Sequence, residues 1–165
     1  MINRKLELLI RKNKAKSIMQ SCIYNLALAG FEIENIVRIE LEESDHIKNK
    51  VREYSSTNRD SELISGESSC FIESNLLNEL YINSEKLARC YVWTNGCQDC
   101  GMFDFNLRIA IENILKLAQI DYQNTSYLIT ADFKYSFAIT YNDGDHNDAP
   151  HTFDIQRWLL LSSNK

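Results

Sequence analysis

The segment that decides the fold is KYSFAITYNDGDHNDAPHTFDIQRWLL, residues 134–160. Aromatic or aliphatic residues occupy every second position of residues 135–141, and the alternation resumes after the loop. A period of two is typical of a strand that buries one face. The loop holds an Asn-Asp-Gly turn signal and Pro150, the chain's only proline, which favours a hairpin connection. Together with a strand candidate at residues 127–131, this predicts a C-terminal antiparallel β-meander over residues 126–160.

The start of the chain indicates a long amphipathic helix over residues 1–29. Apolar residues recur at spacings of three and four from Leu6 to Leu26, and Gly30 supplies a stop signal. The first 20 residues also hold six basic residues and a single acid. We interpret these basic residues as the solvated face of the helix.

The middle of the chain carries shorter signals. Residues 37–42 alternate strictly, which favours a strand followed by a helix that Ser44 caps, and one helix over residues 34–54 is the alternative. Residues 55–69 are polar and rich in serine, which predicts a mobile loop with at most a short strand. The remaining patterns predict helices at 73–81 and 103–119, a strand at 87–93 and a turn-rich loop at 94–101.

This order of elements predicts the fold class α+β. Helices and strands do not alternate regularly, as they would in a doubly wound fold. We therefore expect one mostly antiparallel sheet with the helices packed on one face. The 165 residues contain a single proline and five glycines, so no stretch has the composition of a linker. We expect a single domain over residues 1–165.

Charge and cysteine content indicate which kind of partner and which cellular compartment to expect. The net charge is −5, and beyond residue 20 the chain holds twelve basic and twenty-two acidic residues. Such a body repels nucleic acid and favours a basic protein partner. Charged residues interrupt any secretory signal, and no apolar run approaches the length of a membrane span. Five cysteines, an odd number, indicate reduced thiols and a cytoplasmic protein.

The loop of the predicted C-terminal hairpin concentrates negative charge. Residues 135–156 hold no Lys or Arg and four aspartates: Asp143, Asp145, Asp148 and Asp154. The spacing Asp143-x-Asp145-x-Asn147 matches part of a calcium loop, but Asp148 stands where that loop requires glycine, and the flanks are strands. The other interpretations are a solvated hairpin loop and a surface that faces a basic partner.

Cys97 and Cys100 form a C-x-x-C motif, a spacing at which two thiolates can bind zinc from a tight turn. A tetrahedral site needs two more ligands, for which His146 and His151 are candidates. Redox chemistry is another alternative, because Cys100 precedes the predicted helix at residue 103. We interpret both residues as ordinary thiols and predict no cofactor. No nucleophile elbow or phosphate-binding glycine motif occurs in the sequence, so no catalytic residue is predicted.

Aromatic residues beside acidic ones are typical anchors of protein-binding surfaces. Trp93 precedes a Thr-Asn-Gly turn, Trp158 ends the last predicted strand, and Tyr141 flanks the acidic loop. The predicted partner-binding residues are Asp143, Asp145, Asp148 and Asp154, with Tyr141, Trp158 and Trp93 as anchors and Glu40, Glu42 and Glu43 as a second acidic patch.

In its size, its acidic body and its acid- and aromatic-rich residues 127–158, the chain is similar in overall character to bacterial immunity proteins, including those of contact-dependent growth inhibition. The resemblance is one of type and spans the whole chain. It implies a non-enzymatic cytoplasmic protein that binds a cognate toxin and blocks its active site. If the toxin is a nuclease, its basic cleft attracts an acidic inhibitor. The alternative is a metal-binding enzyme or zinc-stabilised module that uses Cys97, Cys100, His146 and His151.

Overall fold

The computed structural model describes residues 3–57, 61–66, 75, 89–94, 96–121, 123–143 and 152–159. Its helices are α1 (Arg4–Ala29), α2 (Leu41–Thr57), the four-residue α3 (Cys97–Cys100) and α4 (Leu107–Ile120), with a 3-10 turn at Ile33–Asn35. Its strands are β1 (Val37–Arg38), β2 (Ser61–Gly66), β3 (Arg89–Trp93), β4 (Phe103–Asn106), β5 (Thr125–Thr130), β6 (Tyr135–Asn142) and β7 (Thr152–Leu159).

The seven described strands form one sheet in the order β1-β4-β3-β5-β6-β7-β2, and every neighbouring pair is antiparallel. The predicted α+β class, the long N-terminal helix and the C-terminal meander of β5, β6 and β7 are confirmed. Within the predicted loop at 55–69, residues 61–66 form the short strand that the sequence allowed, and it pairs with β7. The helix predicted at 73–81 lies almost entirely outside the described residues.

One face of the sheet, here called the α1 face, carries the main hydrophobic core. Val92, Leu128 and Phe137 point from this face into a cluster to which α1 and α4 contribute Leu26 and Ile114. α4 follows from local sequence, since apolar residues recur along its buried side. α1 buries Ala15, Cys22, Leu26 and Ala29, whereas Leu6 and Leu9 of its predicted apolar side are exposed. The backbone N–H of Phe31 donates to the carbonyl of Leu26 at 3.0 Å, and Gly30 takes a positive φ of 112°, which ends α1.

The opposite face, here called the α2 face, carries a smaller cluster. Ile47 of α2 packs with Ile129 of β5, and Val51 and Trp93 lie against them. The prediction that helices pack on one face therefore holds for α1 and α4 and is wrong for α2. The stripe of apolar residues on α2 has its own partner surface there, because strands β3 and β5 also present large side chains to this side.

Buried Ser44 fixes the start of α2. Its Oγ donates to the carbonyl of Ile39 at 3.3 Å and accepts from the backbone N–H of Met102 at 2.9 Å. The predicted strand over residues 37–42 was wrong beyond Arg38, because Leu41 already begins α2. Ser44 lies inside the helix and bonds across to another segment, so its predicted role as the cap was also wrong.

Two further boundaries differ from prediction. The helix predicted from residue 103 begins at Leu107, because residues 103–106 form β4 and pair with β3. The side chain of Asn106 accepts from the backbone N–H of Arg108 at 2.9 Å and caps α4. The predicted turn-rich loop at 94–101 contains the short helix α3.

Candidate functional site

The α2 face holds an aromatic cavity of about 270 Å³. Its walls come from four strands of the sheet and from α2, namely Val51, Trp93, Tyr127, Ile129, Ser136 and Trp158. The register explains the hollow, because Ser136 lies between Ile129 on β5 and Trp158 on β7. A serine between two large side chains leaves space above the sheet. We call this space the aromatic cavity.

Trp93 contacts an aromatic ring and a cation. Its ring stacks on Tyr127 with centroids 4.8 Å apart and an interplanar angle of 29°. The ammonium of Lys48 lies 4.7 Å from the centroid of Trp93, and Lys48 is only 7% exposed. Cation–π attraction is strongest for tryptophan and increases as the cation is desolvated. Both contacts favour the observed orientation of the indole.

One acidic side chain, that of Asp154, lies on this face of the sheet. Asp154 and Trp158 are four residues apart on β7, so their side chains point to the same side, about 13 Å from each other along the strand. The carboxylate of Asp154 accepts from the side-chain amide of Asn142 at 2.9 Å. Asp143 is exposed just after β6. Asp145 and Asp148, the other predicted loop contacts, lie outside the described residues.

The structure separates the remaining predicted contacts from this cavity. Tyr141 pairs with Phe153, with ring centroids 5.3 Å apart, and both pack with the core on the α1 face. Tyr141 is therefore on the other face from the cavity lined by Trp158 and Trp93, and its role as a partner anchor stays a prediction. The second acidic patch, Glu40, Glu42 and Glu43, is exposed at the start of α2. Acidic residues there also stabilise the helix through its dipole.

Cys100 has a buried thiol partner in the structure. Its Sγ lies 3.4 Å from the Sγ of Cys22 on α1. The hydrogen bond between the thiols and, secondly, burial raise the pKa of Cys22 well above its ordinary value. The side chain of Cys97 and both His146 and His151 lie outside the description, and no cluster of metal-binding side chains occurs among the residues that are described. Cys100 precedes β4, so it is not at the N-terminus of α4 as the redox alternative expected.

A second, larger space of about 580 Å³ lies between α1, α2 and α3. We call it the basic groove. It is lined by four cationic side chains, three carboxylates and four other residues: Arg4, Arg11, Lys48, Arg52, Glu7, Asp45, Asp99, Leu8, Asn49, Trp93 and Gln98. Trp93 borders both this groove and the aromatic cavity.

Arg11 ties the three helices of the basic groove together. Its guanidinium donates to both carboxylate oxygens of Asp45 on α2, at 2.6 and 2.9 Å, and to the carbonyl of Gln98 on α3 at 2.6 Å. The hydrogen bond from Arg11, opposed by burial, holds the pKa of Asp45 below its ordinary value. The same bond raises the pKa of Arg11.

Sequence reasoning missed this groove because it treated the basic residues of α1 as solvated. One signal was present. Arg4 and Arg11 are seven residues apart, and Lys48 and Arg52 are four apart, so each pair lies on one side of its helix. The two sides face each other because of tertiary packing, which the spacing within each helix does not determine.

Comparison of the chain with known protein families, with curated proteins and with solved structures finds no match. Among the described residues, no helix combines the length and the apolar character that crossing a membrane requires.

Proposed function

We propose that this protein is a non-enzymatic binding protein that neutralises a basic protein partner, as an immunity protein neutralises a toxin. The observation that supports the proposal is the α2 face itself, where Trp158 of the aromatic cavity and Asp154 share one strand. The cavity would accept an apolar side chain of the partner, and the carboxylate of Asp154, farther along the same strand, would meet a basic residue.

The charge of the whole chain favours the same kind of partner. A net charge of −5 attracts a basic surface over a distance and accelerates encounter. Buried aromatic anchors then determine how slowly the complex dissociates. The proposal assigns these two steps to different residues, so they are separable by mutation.

The test begins with capture. The immobilised protein is exposed to lysate of the source cells, bound material is eluted with high salt, and the captured protein is identified, purified and measured by surface plasmon resonance. We expect a basic protein at one-to-one stoichiometry. Capture of no basic protein by the wild-type chain would contradict the proposal.

Two matched pairs of variants locate the contact. Asp154→Lys should slow association with the captured protein, and more strongly at low salt, whereas Glu34→Lys makes the same charge change in the 3-10 turn, next to β1 at the far edge of the sheet. Trp158→Ala should accelerate dissociation by about tenfold or more, whereas Tyr24→Ala, at an exposed position of α1, should not. Equal effects within either pair would place the contact elsewhere.

Neutralisation is tested in cells. Expression of the captured protein alone should arrest growth, and co-expression with the wild-type chain should restore it. The Trp158→Ala variant should restore growth less well than Tyr24→Ala. A captured protein that is harmless by itself would reduce the proposal from an immunity protein to a binding protein.

A further inference from the structure

We propose that the aromatic cavity binds a free, neutral aromatic molecule of one or two fused rings, with the size and polarity of phenol or indole and with its polar edge towards Ser136. The inference goes beyond the proposed function and does not rest on it, because a free ligand needs no protein partner. Four properties of the cavity support it, namely its size, its lack of charge, its aromatic walls and its single serine.

The size of the cavity suits a small planar molecule. It measures about 270 Å³, whereas an engineered apolar cavity of about 150 Å³ is large enough to bind benzene. The space therefore has room for one ring together with a second fused ring or a polar substituent. Its walls come from both the sheet and α2, so a molecule inside it contacts more than one element of the fold.

The lining of the cavity favours a neutral ligand. None of the six side chains that border it carries a formal charge at neutral pH, and Lys48, which contacts Trp93, lines the basic groove instead. Ile129 and Ser136 are both buried, so a ligand beside them loses much of its water. A charged group would lose its hydration without gaining an ionic partner in the lining, whereas an apolar ring gains free energy from the same burial.

The aromatic walls favour an aromatic ligand over an aliphatic one. Trp93 and Tyr127 form a stacked pair with centroids 4.8 Å apart, and Trp158 on β7 adds a third ring to the lining. Aromatic rings attract one another in offset and edge-to-face arrangements, and each such pair adds about two- to tenfold in affinity beyond the effect of the buried area. An aliphatic ring of the same size buries a similar surface without this gain.

Ser136 indicates which polar group the ligand carries. The serine lies between Ile129 and Trp158 in the register of the sheet, where its short side chain leaves the space open. Its hydroxyl can both donate and accept a hydrogen bond. A ring that carries one N–H or O–H group can therefore bond to Ser136, which a pure hydrocarbon cannot do. Indole and phenol each combine a flat apolar body with one such group.

The experiment is a titration of the full, isotope-labelled chain with indole, followed by NMR. Trp93 and Trp158 are the chain's two tryptophans and both line the cavity, so the resonances of their side-chain N–H groups report on the site directly. We expect both resonances to shift saturably, with a dissociation constant of about 0.1–1 mM for a ligand of this size. Phenol and cyclohexanol are then compared, because they share ring size and hydroxyl group and differ in aromaticity. Phenol should bind at least about twofold more tightly.

Variants at Ser136 locate the ligand. Ser136→Leu fills the hollow between its two neighbours and should abolish saturable binding of indole, whereas Ser136→Ala keeps the space and should weaken binding only about two- to tenfold through loss of the hydrogen bond. Ser21→Leu adds the same side chain at an exposed position of α1 and should have no effect. Val51→Phe fills the cavity from α2 and replaces Ser136→Leu in the test if that variant does not fold. Circular dichroism establishes which variants are folded.

Three results would overturn the inference. The first is the lack of a saturable shift of either tryptophan resonance at millimolar indole. The second is equal binding of indole by the wild-type chain and by a folded variant whose cavity is filled, which would place the ligand elsewhere. The third is binding of cyclohexanol as tight as that of phenol, which would mean that the aromatic walls do not select the ligand. None of these results bears on the capture of a basic protein, so the two proposals fail separately.

Discussion

The pair formed by Arg11 and Asp45 gives the most direct test of how the helices are held together. It joins α1 to α2, and Arg11 also bonds to Gln98 of α3. Arg11→Met keeps the length of the side chain and removes its charge, and Asp45→Asn keeps the shape of the carboxylate. The two single variants and the double variant form a thermodynamic cycle that isolates the energy of the pair.

The magnitude follows from the geometry and exposure of the pair. Fully exposed ion pairs contribute about 0.2–1 kcal/mol, whereas a hydrogen bond to a charged group in a protein contributes about 1.5–3 kcal/mol. The side chains of Arg11 and Asp45 are 16% and 32% exposed, and two hydrogen bonds join them. We therefore expect a coupling energy of about 1.5 kcal/mol. Arg11→Met, which also loses the bond to Gln98, should lower the unfolding free energy by about 2.5 kcal/mol.

Equilibrium unfolding in urea at pH 7 measures these energies, and thermal unfolding checks them. For a chain of this size, 1 kcal/mol corresponds to about 3 °C in Tm, so Arg11→Met should lower Tm by about 8 °C. The control cycle uses Arg108 and Glu112, an i,i+4 pair with side chains 65% and 47% exposed. Its coupling should not exceed about 0.5 kcal/mol. Equal coupling in the two cycles would refute the assignment of Arg11 as the tie between helices.

The ion pair of Arg11 and Asp45 also determines the direction in which the stability of the fold changes with pH. The hydrogen bond from Arg11 holds the pKa of Asp45 below its ordinary value in the folded chain, and the unfolded chain has the ordinary value of about 3.9. The stabilisation is therefore complete above about pH 4. It decreases as the pH falls through the lowered folded pKa, because the carboxylate must then be protonated. Coupling that stays constant from pH 7 to pH 2.5 would contradict this account.

Three further predictions concern the core. Gly101→Ala should lower the unfolding free energy by about 2 kcal/mol or more in urea titrations, because Gly101 has φ +87° and an added Cβ would lie 2.3 Å from a backbone oxygen. Phe137→Ala should cost about 3–5 kcal/mol in the same assay, whereas Leu63→Ala, 65% exposed, should cost less than about 0.5 kcal/mol. Cys22 and Cys90 should resist alkylation by iodoacetamide in the native protein and react in urea, as read by peptide mass spectrometry, because both are buried and burial helps to raise both thiol pKa values.

Much of the fold could be predicted because its signals are local. The period of α1, the period of α4 and the alternation of β6 each lie within one stretch of sequence. The errors arose where two periods compete within a few residues. Residues 37–42 alternate like a strand, yet Leu41 also belongs to the apolar stripe that continues to Ile47 and Val51. Tertiary packing favours the helix, which begins at Leu41. The position of β2 beside β7 is a long-range pairing that composition does not encode.

The candidate site was partly readable from the sequence. Residue type predicts Trp93 and Trp158 as anchors, and the two side chains line the same cavity. Residue type also predicts Tyr141, whose side chain lies on the other face; its even spacing from Phe137 along β6 is typical of residues that share the core side. Tyr127 lines the cavity although the sequence does not predict it as a site residue. It lies opposite Trp93 in the pairing of β3 with β5, and this register is established only in the folded sheet.

The basic groove could not be predicted because it is made by the packing of two helices. The sequence shows basic residues on α1 and on α2 but not that they face one space. Buried Ser44, which bonds to Ile39 and Met102, starts α2 at the edge of the sheet. Arg11 then holds α2 against α1 and α3. The groove is therefore a consequence of α2 lying on the face that the sequence did not assign to it.

Trp93 is the residue at which the basic groove and the aromatic cavity meet. On one side its neighbours are basic, with Lys48 over the ring and Arg52 in the same groove. On the other side the cavity continues towards Trp158, whose strand carries Asp154. Under the proposed function, reversal of Asp154 is expected to slow association with a basic partner, because it removes an attractive charge. Truncation of Trp158 is expected to accelerate dissociation instead, because it removes a wall of the cavity.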